Sequence, residues 1–98
     1  MALKVVWTKR ADKKFDSIID YLLTEWGELV TTNFVRKTHH LIELISEFPE
    51  MGSVEHREKG IRGFTIVKQV TVFYRIDGST LFILNFFSNR QNPKCRNY

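Results

Sequence analysis

The sequence predicts an α+β fold in which a short N-terminal strand and an antiparallel helical hairpin pack on a C-terminal antiparallel β-sheet. Three runs rich in Val, Ile, Phe and Tyr follow one another closely at residues 61–67, 70–76 and 81–87. Such residues fit a pleated, partly buried surface. Upstream of them, apolar residues recur every three or four positions, which is typical of amphipathic helices.

The connections between the three runs make them neighbouring antiparallel strands. Lys68-Gln69 joins the first two runs and residues 77–80, Asp-Gly-Ser-Thr, join the last two. A parallel return would need a crossover of about a dozen residues or more, and Asp-Gly is a strong turn signal because both residues tolerate positive φ. We predict a three-stranded meander that ends near Phe87, followed by an irregular basic tail.

Strict alternation of side chains divides this sheet into two faces. One face would carry Phe64, Ile66, Phe73, Phe82, Leu84 and Phe86, and the other Thr65, Val67, Val72, Tyr74, Ile83, Asn85 and Phe87. A three-residue turn at the first hairpin would flip the first strand relative to the others. Both faces are largely apolar, whereas a sheet with one solvated face alternates more cleanly. We therefore expect a protein partner, a second copy of the chain or the folded-back tail to cover the second face.

The N-terminal half predicts a strand and two helices. Residues 2–6 form a brief apolar run that could join the sheet, and Thr8 is a suitable N-cap. The apolar stripes are Ala11, Phe15, Ile18, Ile19, Leu22, Leu23 and Trp26 in the first helix, and Val30, Phe34, Leu41, Ile45 and Phe48 in the second. Gly27 separates the helices and Pro49 ends the second. We expect Trp26 and Phe34 in the core and a surface loop over residues 49–60.

Composition limits the class of protein. The chain has 98 residues, 27% charged and 43% hydrophobic, so we expect one globular domain over residues 1–98. No apolar run approaches the ~18 residues of a membrane span, and the N-terminus lacks a signal-peptide core. Cys95 is the single cysteine, which favours a reducing cytoplasm. The net charge of +4 favours an acidic or nucleic-acid-associated partner.

The histidines and acidic residues do not predict a metal or cofactor site. His39 and His40 are adjacent, so on a helix they point about 100° apart and cannot chelate one ion together, and His56 lies in the predicted loop. Asp12, Asp16 and Asp20 form a row along the first helix. That row could bind a basic partner or act in acid–base chemistry, but a solvated face beside lysines is the more ordinary interpretation.

The basic residues of the sheet half are the better candidates for function. They are Arg62, Lys68, Arg75, Arg90, Lys94 and Arg96, with Tyr74 and Tyr98 available to stack or donate. A guanidinium on a strand can hold a phosphate or a carboxylate through two hydrogen bonds. The alternative is that these charges protect sheet edges from aggregation. We single out Arg75, within a strand, and Arg90, at the strand exit.

Several short motifs in a fixed order resemble one family. They are VVWTKRADKKFDSIIDYL at 5–22, Phe48-Pro49 with Gly52, Gly60-Ile61-Arg62, FYRI at 73–76 and FFSNRQNP at 86–93. Together they cover nearly the whole chain, which resembles the RelE/ParE superfamily of bacterial toxins from type II toxin–antitoxin systems. The resemblance implies a helical hairpin on an antiparallel sheet, growth inhibition, a role in plasmid stabilisation and a cognate antitoxin as partner. It also implies a homodimer or a toxin–antitoxin heterotetramer.

Two activities occur in that superfamily. RelE-like members cut messenger RNA on the ribosome without a metal, using basic residues and often a C-terminal Tyr or His, whereas ParE-like members poison DNA gyrase. Here Arg90 matches a basic catalytic position, but Thr65 and Val67 stand where the nucleases favour lysines, and Tyr98 does not align well with their terminal tyrosine.

The resemblance is therefore closer to ParE and implies a gyrase inhibitor that needs no cofactor. Its predicted partner-binding residues are Arg62, Arg75, Arg90, Lys94 and Arg96. The alternative is a ribosome-dependent nuclease acting on messenger RNA, which would use Arg90, Arg75 and Tyr98. A third possibility is a non-toxic module that binds protein or nucleic acid.

Overall fold

The computed structural model describes residues 2–88. In chain order the elements are β1 (Lys4–Trp7), a helical stretch (Lys9–Glu47), β2 (Ser53–His56), β3 (Ile61–Val67), β4 (Val70–Asp77) and β5 (Thr80–Ser88). The strands form one five-stranded sheet in the order β1-β5-β4-β3-β2. The predicted α+β fold is confirmed.

Gly27 divides the helical stretch into α1 (9–26) and α2 (28–47). Its φ of 85° and ψ of −179° lie outside the helical region, and the positive φ favours glycine. An unbroken helix of 39 residues would be about 58 Å long, whereas the longest dimension of the molecule is 38 Å. The rings of Phe15 and Phe34 stack with centroids 5.7 Å apart. The two helices therefore run antiparallel, as the predicted hairpin requires.

Thr8 joins the sheet to the start of α1. Its Oγ1 accepts a hydrogen bond from the Ala11 N–H at 3.1 Å, which confirms the predicted N-cap. The Thr8 hydroxyl also lies 2.9 Å from the Ile83 carbonyl oxygen, to which it can donate. This contact anchors the first turn of the helix beside β5.

The sheet is mixed, which refines the antiparallel sheet that was predicted. β1 pairs parallel to β5, with Val5 opposite Leu81, and the other pairs are antiparallel. The expected meander is β3-β4-β5. The prediction of a loop over residues 49–60 is wrong in part, because β2 pairs with β3 there. Its sequence Ser-Val-Glu-His has one apolar residue, so no apolar alternation marks it as a strand.

A bulge in β3 overturns the face predicted for its first half. The register shifts between Thr65 and Val67, which inserts one extra residue into β3 opposite β4. Phe64 therefore lies across from Val72, not on the face of Phe73 as strict alternation predicts. A bulge reverses the alternation without leaving a mark in the apolar pattern.

A second register shift changes the face of Phe86. Between β4 and β5 the register shifts at Phe73 and Tyr74. Phe86 is consequently paired with Val72 and packs in the same buried cluster as Ile83. The prediction that grouped Phe86 with Phe82 is wrong for the same physical reason as in β3.

The main core lies between the helical hairpin and one face of the sheet. Its buried members are Ala11, Phe15, Ile18, Phe34, Ile42, Ile45, Ile66, Val70, Val72, Tyr74, Leu81, Ile83 and Phe86. Phe34 is 5% exposed, as predicted, but Trp26 is 65% exposed and does not belong to the core. Trp26 lies in the last turn before Gly27, at the tip of the hairpin, where its apolar neighbour Leu29 is also exposed. The predicted stripe of α2 likewise fails at Val30 and Phe48, which are both exposed.

A second, smaller buried cluster lies on the other face of the sheet. It consists of Ile61, Phe73 and Phe87, with Leu84 packed against it. Each of the three is at most 5% exposed in the single chain. These three residues are therefore already covered in the single chain, and the expected cover of this face by a protein partner, a second copy or the tail stays a prediction. Among residues 2–88, no helix combines the length and apolar character needed to cross a membrane.

Candidate functional site

Arg62 points to the helix side of the sheet and binds the loop that follows α2. It is paired with Tyr74 across β3 and β4. Its Nη1 donates to the carbonyl oxygen of Gly52 at 2.7 Å and to that of Glu50 at 3.3 Å. Carbonyl oxygens at a loop otherwise need donors or water. The guanidinium thus serves the fold here, and the partner-binding role predicted for Arg62 remains a prediction.

Tyr74 ties the same loop to the sheet from inside the core. Its hydroxyl donates to the Pro49 carbonyl oxygen at 2.8 Å and accepts from the Gly52 N–H at 2.9 Å. Burial raises the pKa of the Tyr74 phenol, although the hydrogen bond from Gly52 and the charge of Arg62 partly oppose this rise. The phenol therefore stays neutral and can act as the donor to Pro49.

Gly52 is required by this arrangement for lack of space. A Cβ at this position would collide with the Tyr74 hydroxyl and lie 2.8 Å from the Gly63 carbonyl oxygen. We call Pro49, Gly52, Arg62 and Tyr74 the loop anchor. Sequence reasoning treated Arg62 and Tyr74 as surface groups, because alternation alone does not reveal that a strand faces a loop instead of solvent.

Arg75 points to the opposite face of the sheet. It is paired with Ile61, a member of the second cluster, and its side chain is 45% exposed. Its Nη2 lies 3.9 Å from Oδ2 of Asp77, whose side chain is 71% exposed. A long surface pair of this kind contributes little stability. Arg62 and Arg75 therefore do not converge on one phosphate or one carboxylate.

Thr65 and Val67, the two positions at which the nucleases favour lysines, lie in different environments. Thr65 is exposed, and its Oγ1 lies 3.4 Å from the hydroxyl of Thr71 on the neighbouring strand. Val67 packs against the main core. A threonine hydroxyl has no accessible pKa near neutrality, so this pair offers hydrogen bonds but no ready general base.

The remaining sequence candidates are dispersed. His39 and His40 lie on α2 and His56 on β2, and no group of three or more His, Cys, Asp or Glu within residues 2–88 could hold a metal. The aspartates of α1 are exposed, which agrees with a solvated face. Arg90, Lys94, Arg96 and Tyr98 lie outside the described residues, so their predicted roles stay predictions.

A groove lies at the tip half of the hairpin, within the part of the chain that the structure describes. It has a volume of about 620 Å³ and lies between α1, α2, the β3–β4 turn and the end of β5. Its lining residues are Ile18, Tyr21, Leu22, Trp26, Val30, Asn33, Phe34, Lys37, Val67, Gln69, Val70 and Ser88. Lys37 is the only one of them with a formal charge.

Sequence reasoning missed this groove because both apolar stripes were assumed to be covered by the sheet. One signal was available. Trp26, Leu29 and Val30 surround Gly27, at a helix–helix connection where polar residues are usual. All three are at least 43% exposed. Large exposed apolar side chains that cluster in this way mark interaction surfaces.

Comparison with known proteins defines the class to which this fold belongs. The chain aligns with the chromosomal ParDE toxin–antitoxin system of P. aeruginosa at a TM-score of 0.73 and 19% identity, over 89% of this chain and 96% of the other. It also aligns with a YoeB/ParE toxin from Agrobacterium tumefaciens at a TM-score of 0.64 and 18% identity, over 88% of this chain and 98% of the other. It aligns with the RelBE2 toxin–antitoxin complex from Mycobacterium tuberculosis at a TM-score of 0.61 and 16% identity, over 90% of this chain and 99% of the other. The fold is that of the RelE/ParE toxins.

The sequence itself assigns the family. Residues 5–93 match the family model described as the ParE toxin of the type II toxin–antitoxin system, parDE. The chain belongs to this family and is a type II toxin of the RelE/ParE superfamily. None of the curated proteins matches its sequence. The structural neighbours carry both ParE and RelBE names, so the shared fold does not choose between their activities.

Proposed function

We propose that this toxin stops bacterial growth by inhibiting DNA gyrase, and that a cognate antitoxin neutralises it in the cytoplasm. The observation that carries the proposal is the orientation of the two strand arginines. Arg62 donates to loop carbonyls on the helix side, whereas Arg75 is exposed on the other face beside Asp77. A recognition surface can use one exposed guanidinium of this kind, whereas a nuclease also needs groups that transfer protons.

Cleavage of RNA by its own 2′-hydroxyl requires a base, an acid and a group that stabilises charge on the phosphate. Arg75 can supply the last. Among residues 2–88, the exposed carboxylate of Asp77 lies beside Arg75 and forms a surface ion pair with it. Thr65 and Thr71 offer hydroxyls farther along the strands, and the three histidines lie on α2 and β2 instead of the central strands. These groups support contact with a macromolecule better than proton transfer.

The ribosome-dependent nuclease remains the second candidate. For this activity, Arg90 and Tyr98, which lie outside the described residues, would act together with Arg75. In that case Tyr98 would provide a proton-transfer group. This candidate predicts loss of activity on Tyr98→Phe, which the gyrase proposal does not.

The proposed antitoxin site is the groove at the hairpin tip. Its lining is mainly apolar, and Trp26 and Val30 are exposed there in the single chain. An amphipathic helix that lays its apolar face into such a groove gains affinity by burying these side chains. The similarity to the ParDE and RelBE2 toxin–antitoxin systems supports a protein partner of this kind. We propose the toxin–antitoxin heterotetramer as the assembly, with a toxin homodimer as the alternative.

The proposal is tested in growing cells. Expression of the toxin should stop growth, and co-expression of the antitoxin from the adjacent gene should restore it. Pulse labelling with thymidine and methionine should show DNA synthesis falling before protein synthesis. If protein synthesis falls first, the nuclease candidate is correct. If a folded toxin does not affect growth, the non-toxic binding module is correct.

A further inference from the structure

The groove has one charged lining residue, Lys37, and an acidic residue outside its lining, Glu25, lies on the same face of α1 near the tip. On α1 its lining residues follow the stripe 18, 21, 22 and 26, and Glu25 completes that stripe at spacings of three and four from Leu22 and Tyr21. On α2 the stripe is 30, 33, 34 and 37, which ends in Lys37. Glu25 therefore stands at the tip end and Lys37 at the other end, and both are exposed.

The tip is acidic although the whole chain is basic. Residues 15–35 contain four carboxylates and no Lys or Arg, in a chain of net charge +4. Lys37 lies ten residues beyond Gly27, and Glu25 lies in the last turn before it. With a rise of 1.5 Å per residue, the two charges are roughly 12 Å apart along the hairpin, or about eight residues of a docked helix.

We propose that the groove selects an amphipathic antitoxin helix that carries a basic residue opposite Glu25 and an acidic residue seven or eight positions away, opposite Lys37. The inference rests on the proposed function, because the antitoxin is taken as the occupant. Apolar burial supplies affinity, and the two charges set register and exclude helices of a single sign. Charge placement of this kind contributes to specificity more than to affinity.

Three synthetic helical peptides with one common apolar stripe test this directly. Two flanking positions seven residues apart carry Lys and Glu in the mixed peptide, Lys and Lys in the basic peptide, and Glu and Glu in the acidic peptide. Each is titrated into the full chain with Trp7→Phe, so that Trp26 is the only tryptophan and its emission reports on the groove. The mixed peptide should bind about three- to tenfold more tightly than either of the others at low salt.

Charge reversals in the protein make the test specific. Glu25→Lys should make the acidic peptide bind best, and Lys37→Glu should make the basic peptide bind best. Glu28→Lys and Arg36→Glu are matched controls, because each lies one or two residues away from a groove stripe. Both control variants should still bind the mixed peptide most tightly. Circular dichroism confirms that each variant is folded.

Several results would overturn the inference. One is that the three peptides rank in the same order for Glu25→Lys, Lys37→Glu and the unaltered chain. A second is that the control variants change this order as much as the charge reversals do. A third is that no peptide changes the emission of Trp26. A general attraction to a protein of charge +4 would make the acidic peptide bind best to every variant, which distinguishes it from the proposed charge pairing. Failure of the proposed function appears separately, as harmless expression of the toxin in cells.

Discussion

Arg62 and Arg75 lie on neighbouring strands yet serve opposite faces of the sheet. Arg62 is paired with Tyr74, and Arg75, the next residue along β4, is paired with Ile61. Because successive side chains of a strand alternate, the partner of Tyr74 and the neighbour of Tyr74 must point in opposite directions. One arginine therefore holds the loop after α2 and the other is presented to solvent.

The two arginines should respond differently to removal. Arg62→Ala should lower the free energy of unfolding by about 1.5–3 kcal/mol, because a charged donor to two carbonyl oxygens is lost. Arg75→Ala should change it by less than about 0.5 kcal/mol, as for other exposed positions. Urea denaturation of both variants, with Arg57→Ala as an exposed control, measures the difference. Equal effects of Arg62→Ala and Arg75→Ala would contradict the assignment of Arg62 to the fold.

Tyr74→Phe isolates the hydroxyl of the loop anchor. The change leaves the Pro49 carbonyl and the Gly52 N–H without their partner in a buried place, at a cost of about 1–3 kcal/mol. The toxin should keep its effect on growth at a temperature where it stays folded, because no anchor residue lines the groove and Tyr74 points to the opposite face of the sheet from Arg75. A stability equal to that of the unaltered chain would show that water replaces the hydroxyl.

The Tyr74 phenol also predicts a loss of stability in alkali. Its pKa in the folded protein is raised above the ordinary value of 10.0, so the folded state holds this proton more tightly than the unfolded state. The contribution is complete below about pH 10 and is lost as the pH rises from there through the folded pKa. Stability measured from pH 8 to 11.5 should fall more steeply in the unaltered chain than in Tyr74→Phe. Parallel curves would show that other groups cause the decline.

Phe15 and Trp26 lie on the same helix but in opposite environments. Phe15 is 7% exposed and contacts the rings of Trp7, Phe34 and Phe86, so Phe15→Ala should destabilise the fold by about 3–5 kcal/mol. Trp26 is 65% exposed, so Trp26→Ala should cost less than about 1 kcal/mol while weakening antitoxin binding. Thermal unfolding together with a pull-down of the antitoxin separates the two effects. A strongly destabilised Trp26→Ala would place this side chain in the core after all.

Local signals predicted the parts of the fold whose causes are local. Thr8 satisfies a free N–H at the helix start, and Gly27 adopts the positive φ that its position demands, so both could be read from residue type. The meander followed from short connections and the Asp77-Gly78 turn. These features depend on a few neighbouring residues and little else.

The missed features depend on contacts distant in sequence. The bulges in β3 and β5 reverse side-chain alternation, and β2 is held by backbone pairing with β3 instead of by its own apolar residues. Trp26 looked like core because its spacing fits the stripe, but the sheet does not extend to the hairpin tip. Arg62 could not be assigned because the loop it binds is placed by the hairpin and not by β3.

Supercoiling by purified DNA gyrase tests the central claim most directly. The toxin should inhibit conversion of relaxed plasmid to the supercoiled form, while ribosome-bound messenger RNA in a parallel translation extract stays intact. Arg75→Ala and Arg90→Ala should weaken the inhibition through loss of contact, and Arg57→Ala should not. Unimpaired supercoiling together with codon-phased cleavage of the message, abolished by Arg90→Ala or Tyr98→Phe, would contradict the account and identify a ribosome-dependent nuclease.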